Sequence, residues 1–167
     1  MDSKSATADA RFDERPSLTF KRHLKASPQQ VYAAWTDPQK IVRWFGRADA
    51  RSETMRAEID LRVGGRYCVQ FAASAGEYFE VGGIYREVIP NERLVFSWAW
   101  HSTPERESLV TVTFKPEGGG TLLTVHHSQL FDEAARAGHE RGWLGALDKL
   151  EGFLAIQGPA DRSTERR

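Results

Sequence analysis

The chain has 167 residues, with 23 basic side chains against 23 acidic ones, a single cysteine and a large aromatic supply of five Trp, nine Phe and four Tyr. That length is one domain with short tails, able to bury about two-thirds of its unfolded surface without a disulfide or a metal. Balanced charge with no long basic run excludes a dedicated nucleic-acid binder, and the lone Cys68 excludes an intrachain disulfide and a cysteine-rich zinc site.

No apolar run is long enough to span a membrane, and the opening Met-Asp-Ser-Lys-Ser is unlike a secretory signal, so a reducing cytoplasm is the expected compartment. Residues 1–16 are rich in Asp, Ser, Ala and Arg, and are read as a flexible tail. Residues 17–156 form the expected domain, and 157–167, opening near Gly158-Pro159, form a second tail.

In chain order, Leu18, Phe20 and Leu24 share one parity, the period of a half-buried strand. Ser27-Pro28-Gln29-Gln30 then reads as a capping box opening a helix through Trp35. Asp37-Pro38 starts a second short helix, Gln39 to Phe45, which Gly46 closes. From residue 55 to 127 the pattern is strands and turns. A hairpin joins Glu58–Val63 to Arg66–Phe71 across Gly64-Gly65, with Tyr67, Val69 and Phe71 on one face. Glu77–Val88 follows, with a bulge expected at Gly82-Gly83. Arg93–Trp100 places Phe96, Trp98 and Trp100 on one parity. Leu109–Phe114 and Thr121–His127 complete the strands, with Leu123, Val125 and His127 sharing a face. Asp132 caps a long helix whose Trp143, Leu147, Leu150 and Leu154 make one apolar stripe. The fold class is therefore α+β: an antiparallel sheet of about six or seven strands packed on a long C-terminal helix, with two short helices after strand one.

Five separated segments carry a resemblance. They are Ser27 to Pro38 leading to Arg43-Trp44-Phe45-Gly46; Asp60 to Tyr67; Gly83 to Trp98; Gly119 to His127; and His139 through Trp143 with Leu147 and Leu150. In this order they resemble the activator of heat-shock-protein-90 ATPase homologue family, over about residues 17–156. The resemblance implies a helix-grip fold of the START-like (SRPBCC) superfamily, with a curved sheet gripping the C-terminal helix around a mostly apolar cavity. That superfamily includes lipid and hormone carriers, polyketide cyclases and aromatase-like proteins. Eukaryotic members that stimulate the chaperone look like two-domain proteins, and no segment here corresponds to their additional N-terminal domain. A chaperone-associated or stress-response interaction role is therefore kept only as a further alternative.

The candidate ligand-binding residues are Trp44, Phe45, Tyr67, Phe79, Tyr85, Trp98, Trp100, His127, His139 and Trp143. Large aromatics on inward parities give contact area for a small apolar ligand, and His127 gives orientation. Phe96 is read as core, Trp35 and Trp44 as anchors of the helix pair, and Phe45 as a gate at the cavity mouth. A lone inward His is more often a satisfied core residue than a base, and that is the first reading of His127. His139 lies four residues before Trp143, so His127, His139 and Trp143 converge at one end of the cavity. No third ligand supports zinc, and no cofactor is expected. An inward Glu among Glu77, Glu80 and Glu87, or His127, would serve a cyclase, dehydratase or isomerase as acid or base, the alternative to carriage. Gly138 and Gly142 stand one turn apart on the long helix, which points to close backbone approach or room for a ligand. An exposed edge strand leaves a homodimer open.

Overall fold

The computed structural model describes residues 14–165, with side-chain surroundings for 14–157. Most of the expected N-terminal tail therefore lies outside the described residues. The end of that stretch is tied to the domain: Leu130 N donates to Pro16 O at 3.0 Å, and Arg136 Nε donates to Ser17 O at 3.1 Å.

Seven strands form one antiparallel sheet in the order β1-β7-β6-β5-β4-β3-β2. The strands are β1 (Leu18–Leu24), β2 (Arg56–Ile59), β3 (Arg66–Ala72), β4 (Tyr78–Ile89), β5 (Arg93–Trp100), β6 (Ser108–Glu117) and β7 (Gly120–Ser128). Helices α1 (Pro28–Thr36) and α2 (Pro38–Ile41) follow β1, and α3 (Glu133–Glu165) ends the chain. This is the helix-grip arrangement.

The capping box forms as read. Gln30 N donates to Ser27 Oγ at 3.2 Å, and Ser27 N donates to Gln30 Oε1 at 2.9 Å. Asp37 then serves both helices, its N–H closing α1 on Ala33 O and its carboxylate accepting from Gln39 N. Helix α2 is shorter than the expected Gln39–Phe45. Beyond Ile41 the chain turns so that Trp44 is fully buried and its indole donates to Ala34 O at 3.0 Å. Packing of the Trp44 side chain, rather than helix propensity, sets the path into Gly46, whose φ of +90° ends the turn.

Two strand expectations shift. Strand β2 ends at Ile59, before the expected Val63, because Asp60 to Gly65 form a hydrogen-bonded turn that leaves Val63 exposed. Strand β4 runs unbroken through Gly82-Gly83, and its register shift falls between Tyr85 and Glu87. The two glycines serve close approach instead: a Cβ on Gly82 would stand 2.6 Å from Tyr67 O, and one on Gly83 would collide with Ser97 O.

Inward parities are as read: Tyr67, Val69 and Phe71 on β3, Phe96 and Trp98 on β5, and Leu123, Val125 and His127 on β7 are buried. Helix α3 starts where Asp132 Oδ1 accepts from Ala135 N at 2.8 Å, and it buries Trp143, Leu147, Leu150 and Leu154 against the sheet. Each such side chain contributes about 1.5–3 kcal/mol through removal from water. The helix continues past Gly158-Pro159, where a second tail is expected to open, to Glu165. A proline inside a helix removes one backbone hydrogen bond and kinks the axis, and need not terminate it.

Candidate functional site

All five tryptophans belong to one connected aromatic cluster. Trp35 packs edge-on against Trp44 (4.8 Å between centroids) and stacks on Trp143 (5.8 Å); Trp143 meets Trp98 (5.3 Å), and Trp98 meets Trp100 (5.6 Å). Two histidines are set into this cluster, and the indoles fix their tautomers. An indole N–H only donates. Trp98 Nε1 and Trp100 Nε1 both point at His139 Nε2, at 3.2 and 2.9 Å, so His139 carries its proton on Nδ1 and donates it to Ala135 O at 2.7 Å. Trp143 Nε1 donates to His127 Nδ1 at 3.0 Å, so His127 Nε2–H donates to Ser108 Oγ at 2.7 Å. Ser108 Oγ passes its own proton to Trp98 O at 3.3 Å.

Both imidazoles are thereby held neutral. Burial pushes His127 well below its ordinary pKa, with the neighbouring His139 and His126 adding to the effect. Burial likewise lowers His139, partly offset by the bond to Ala135 O.

Beside this cluster, between the sheet and the first half of α3, lies a pocket of about 370 Å³. One wall is Phe71, Phe79, Trp98 and Trp100 from the sheet. The opposite wall is Ala135, Gly138, His139, Gly142, Trp143 and Ala146 from α3. Phe45, Gly46 and Arg47 form one rim, and Ser102, Thr103, Arg106, Leu130 and Phe131 the other. The rim at Phe45 is fastened to α3: Lys149 Nζ donates to Phe45 O at 3.2 Å and to Arg47 O at 3.0 Å. Gly142 faces open space, with nothing within 4 Å of the position its Cβ would take, and Gly138 has only the tip of Arg141 at 3.9 Å. Gly145, on another face, packs closely instead, its Cβ position 2.9 Å from Ala48 N.

Of the ten candidate residues, Phe45, Phe79, Trp98, Trp100, His139 and Trp143 line the pocket. His127 lies behind that wall, bonded to Trp143 and to the pocket residue Ser108. Trp44 is buried beneath Phe45 (5.8 Å between rings) as an anchor. Tyr67 and Tyr85 are inward but elsewhere, packed with Phe96, and Tyr67 Oη donates to Ser97 O at 2.7 Å. None of the three candidate glutamates lines the pocket. Glu80 accepts from Cys68 and Gln70, and Glu87 pairs with Arg93. Burial and Glu80 hold the Cys68 thiol at about 11, so it is not a nucleophile at neutral pH. Sequence reasoning missed Arg106, Phe131 and the hydroxyls of Ser102 and Thr103. They sit in loops, where hydrophobic period carries no signal; the only cue was that these loops adjoin the open ends of β5 and β7.

A curved seven-stranded sheet wrapped on a long C-terminal helix, with an aromatic-walled pocket between them, defines a helix-grip domain of the START-like class. The family model described as Activator of Hsp90 ATPase homolog 1-like protein matches residues 25–155, and the chain belongs to this family. It is 25% identical over 142 residues to the human protein "Activator of 90 kDa heat shock protein ATPase homolog 1", covering 83% of this chain but 38% of that relative's length. Among solved structures, the AHSA1 protein of Silicibacter pomeroyi is 27% identical with a TM-score of 0.71, covering 85% of this chain and 99% of the other. CalU16 from Micromonospora echinospora is 29% identical with a TM-score of 0.60, covering 90% of this chain and 82% of the other.

Proposed function

We propose that the protein is a binding module for a small, flat, mostly apolar molecule held in the pocket between the sheet and α3, and that it acts in the cytoplasm. The observation that carries this reading is the combination of about 370 Å³ of space with walls of Trp98, Trp100, Phe79 and Trp143. Ligand pockets of 300–1,000 Å³ with aromatic walls and a few polar groups are the usual form of small-molecule sites. The histidines favour carriage over chemistry. A general base needs a free lone pair, and the acceptor nitrogens of His127 and His139 are both occupied by indole N–H groups.

Because three tryptophans line the pocket, a bound ligand alters their emission. Titration with a panel of aromatic and lipidic compounds should give saturable quenching. An absence of binding below about 1 mM across the panel would sink the reading.

A second reading rests on the human relative's name, which ties that longer protein to the ATPase of a 90 kDa heat shock protein. It calls for stimulation of that ATPase by this chain. A pull-down showing no association, with no change in ATPase rate, ends it.

A further inference from the structure

The charged side chains that line the pocket are of one sign. Among the described residues that line it, Arg47 and Arg106 are cationic and none is Asp or Glu. The two arginines differ. Arg47 is already neutralised, its Nε 2.7 Å from Asp49 Oδ1. Arg106 makes no ion pair among the described residues; the neighbouring Glu107 reaches Arg86 instead, at 3.9 Å.

What holds Arg106 is a ring. Its guanidinium carbon lies 3.9 Å from the centroid of Phe131, the aromatic of the same rim. A guanidinium held over a ring by a cation–π contact does not use its N–H donors there, and those donors can receive a carboxylate in two parallel hydrogen bonds. The backbone presents it firmly. Thr103 N donates to Trp100 O and Arg106 N donates to Thr103 O, each at 3.0 Å, so two linked turns lead from the Trp100 wall to Arg106. Ser102 and Thr103 add hydroxyls to the same rim.

We propose that the ligand is an aromatic carboxylate, its ring against Trp98 and Trp100 and its carboxylate on Arg106 at the rim. This rests on the pocket reading above and adds a chemical class to it. The apolar interior excludes water from the ring, while the partly open rim lets the anion keep some hydration, so its burial is not prohibitive.

The test compares 2-naphthoate with its neutral isostere 2-naphthamide by calorimetric titration, on the natural chain and on Arg106→Gln and Arg106→Lys. Arg106 is exposed, so neither substitution threatens folding. The natural chain should bind the carboxylate at least about tenfold more tightly than the amide, the scale of a charge-assisted pair. Arg106→Gln should reduce that preference to less than about twofold by weakening the carboxylate more than the amide, and Arg106→Lys should keep only part of it. Equal binding of carboxylate and amide by the natural chain, or an undiminished preference in Arg106→Gln, overturns the anion assignment while the amide's binding upholds the apolar pocket. Binding of neither compound overturns both. Dodecanoate binding as tightly as 2-naphthoate overturns the aromatic part and leaves a carboxylate on Arg106.

Discussion

The sheet's inner face is furnished with aromatics along its length, yet one end is closed and the other open. At the closed end Tyr67, Tyr85 and Phe96 pack ring on ring at 5.1–5.9 Å, and Tyr32 meets Phe114 at 5.5 Å. At the open end Trp98, Trp100 and Trp143 pack among themselves and still leave a pocket. The difference lies in α3 rather than in the sheet. Its first half turns Ala135, Gly138, Gly142 and Ala146 to the sheet, while Leu147, Leu150 and Leu154 further along fill the core and do not border this pocket. A helix whose buried face sets small residues around Trp143 in one stretch and leucines in the next builds both a core and a container.

The largest expected effect is in the closed half. Leu150 is fully buried, so Leu150→Ala should cost about 2–5 kcal/mol of stability. Trp100→Ala removes a larger but half-buried group bordering existing space, and should cost less than Leu150→Ala despite its size. Urea midpoints of the two variants check the order, and its reversal would mean that the open half is as tightly packed as the closed one.

The second test closes the open half. Gly142→Leu places a side chain into unoccupied space on a helix where glycine itself costs about 1 kcal/mol relative to Ala. Stability should be maintained or improved while ligand quenching of the tryptophans falls at least about tenfold. Retained binding in a stable Gly142→Leu protein would move the site elsewhere. Gly145→Leu, facing Ala48 backbone, is the contrasting variant and should destabilise.

How this contrast could be read from sequence is instructive. Parity assigned Tyr67, Tyr85, Trp98 and His127 to the correct face, because alternation along a strand is a local property. Parity does not say which end of the face each occupies relative to α3, which is why Tyr67 and Tyr85, inward by parity, lie away from the pocket. Gly138 and Gly142 carried the missing information, since glycines one turn apart in a helix leave a gap. The rim residues Arg106 and Phe131 had no such cue. Their pairing joins two loops 25 positions apart, and only the folded sheet brings those loops together.

The two halves should also respond to opposite ends of the pH scale. His127 and His139 are held neutral in the open half, with pKa values below the ordinary 6.5. Below pH 6.5 the unfolded chain takes up protons that the folded one refuses, so stability is full above that pH and falls as pH drops. The loss is at most about 1.4 kcal/mol per pH unit for each histidine. Burial raises Tyr67 and Tyr85 above 10 in the closed half, and beyond about pH 10 the unfolded chain loses protons that the folded one keeps. Stability therefore also declines on the alkaline side. Urea titrations at pH 5.5, 7.5 and 10.5 should show both limbs. His139→Gln should flatten only the acid limb, and Tyr85→Phe only the alkaline one. A change in the other limb for either variant would mean that the halves are not electrostatically separate.

The smallest effect concerns what each half does with its polar atoms. In the open half both ring nitrogens of His127 and His139 and the indoles of Trp98, Trp100 and Trp143 are paired, although Trp35 Nε1, stacked beside Trp143, is buried with no partner among the described residues. In the closed half Tyr32 Oη is buried with no hydrogen-bond partner among the described residues, and burial raises its pKa. A buried hydroxyl without a partner carries a desolvation cost that nothing offsets, whereas the ring keeps its contact with Phe114 in either form. Tyr32→Phe should therefore leave stability within about 0.5 kcal/mol of the parent or raise it by about 1 kcal/mol. Trp143→Phe, which keeps an aromatic ring but strands His127 Nδ1 without its donor, should destabilise by more than the lost area alone predicts. If Tyr32→Phe proved the costlier of the two, the closed half rather than the open one would hold the fold's specific polar contacts.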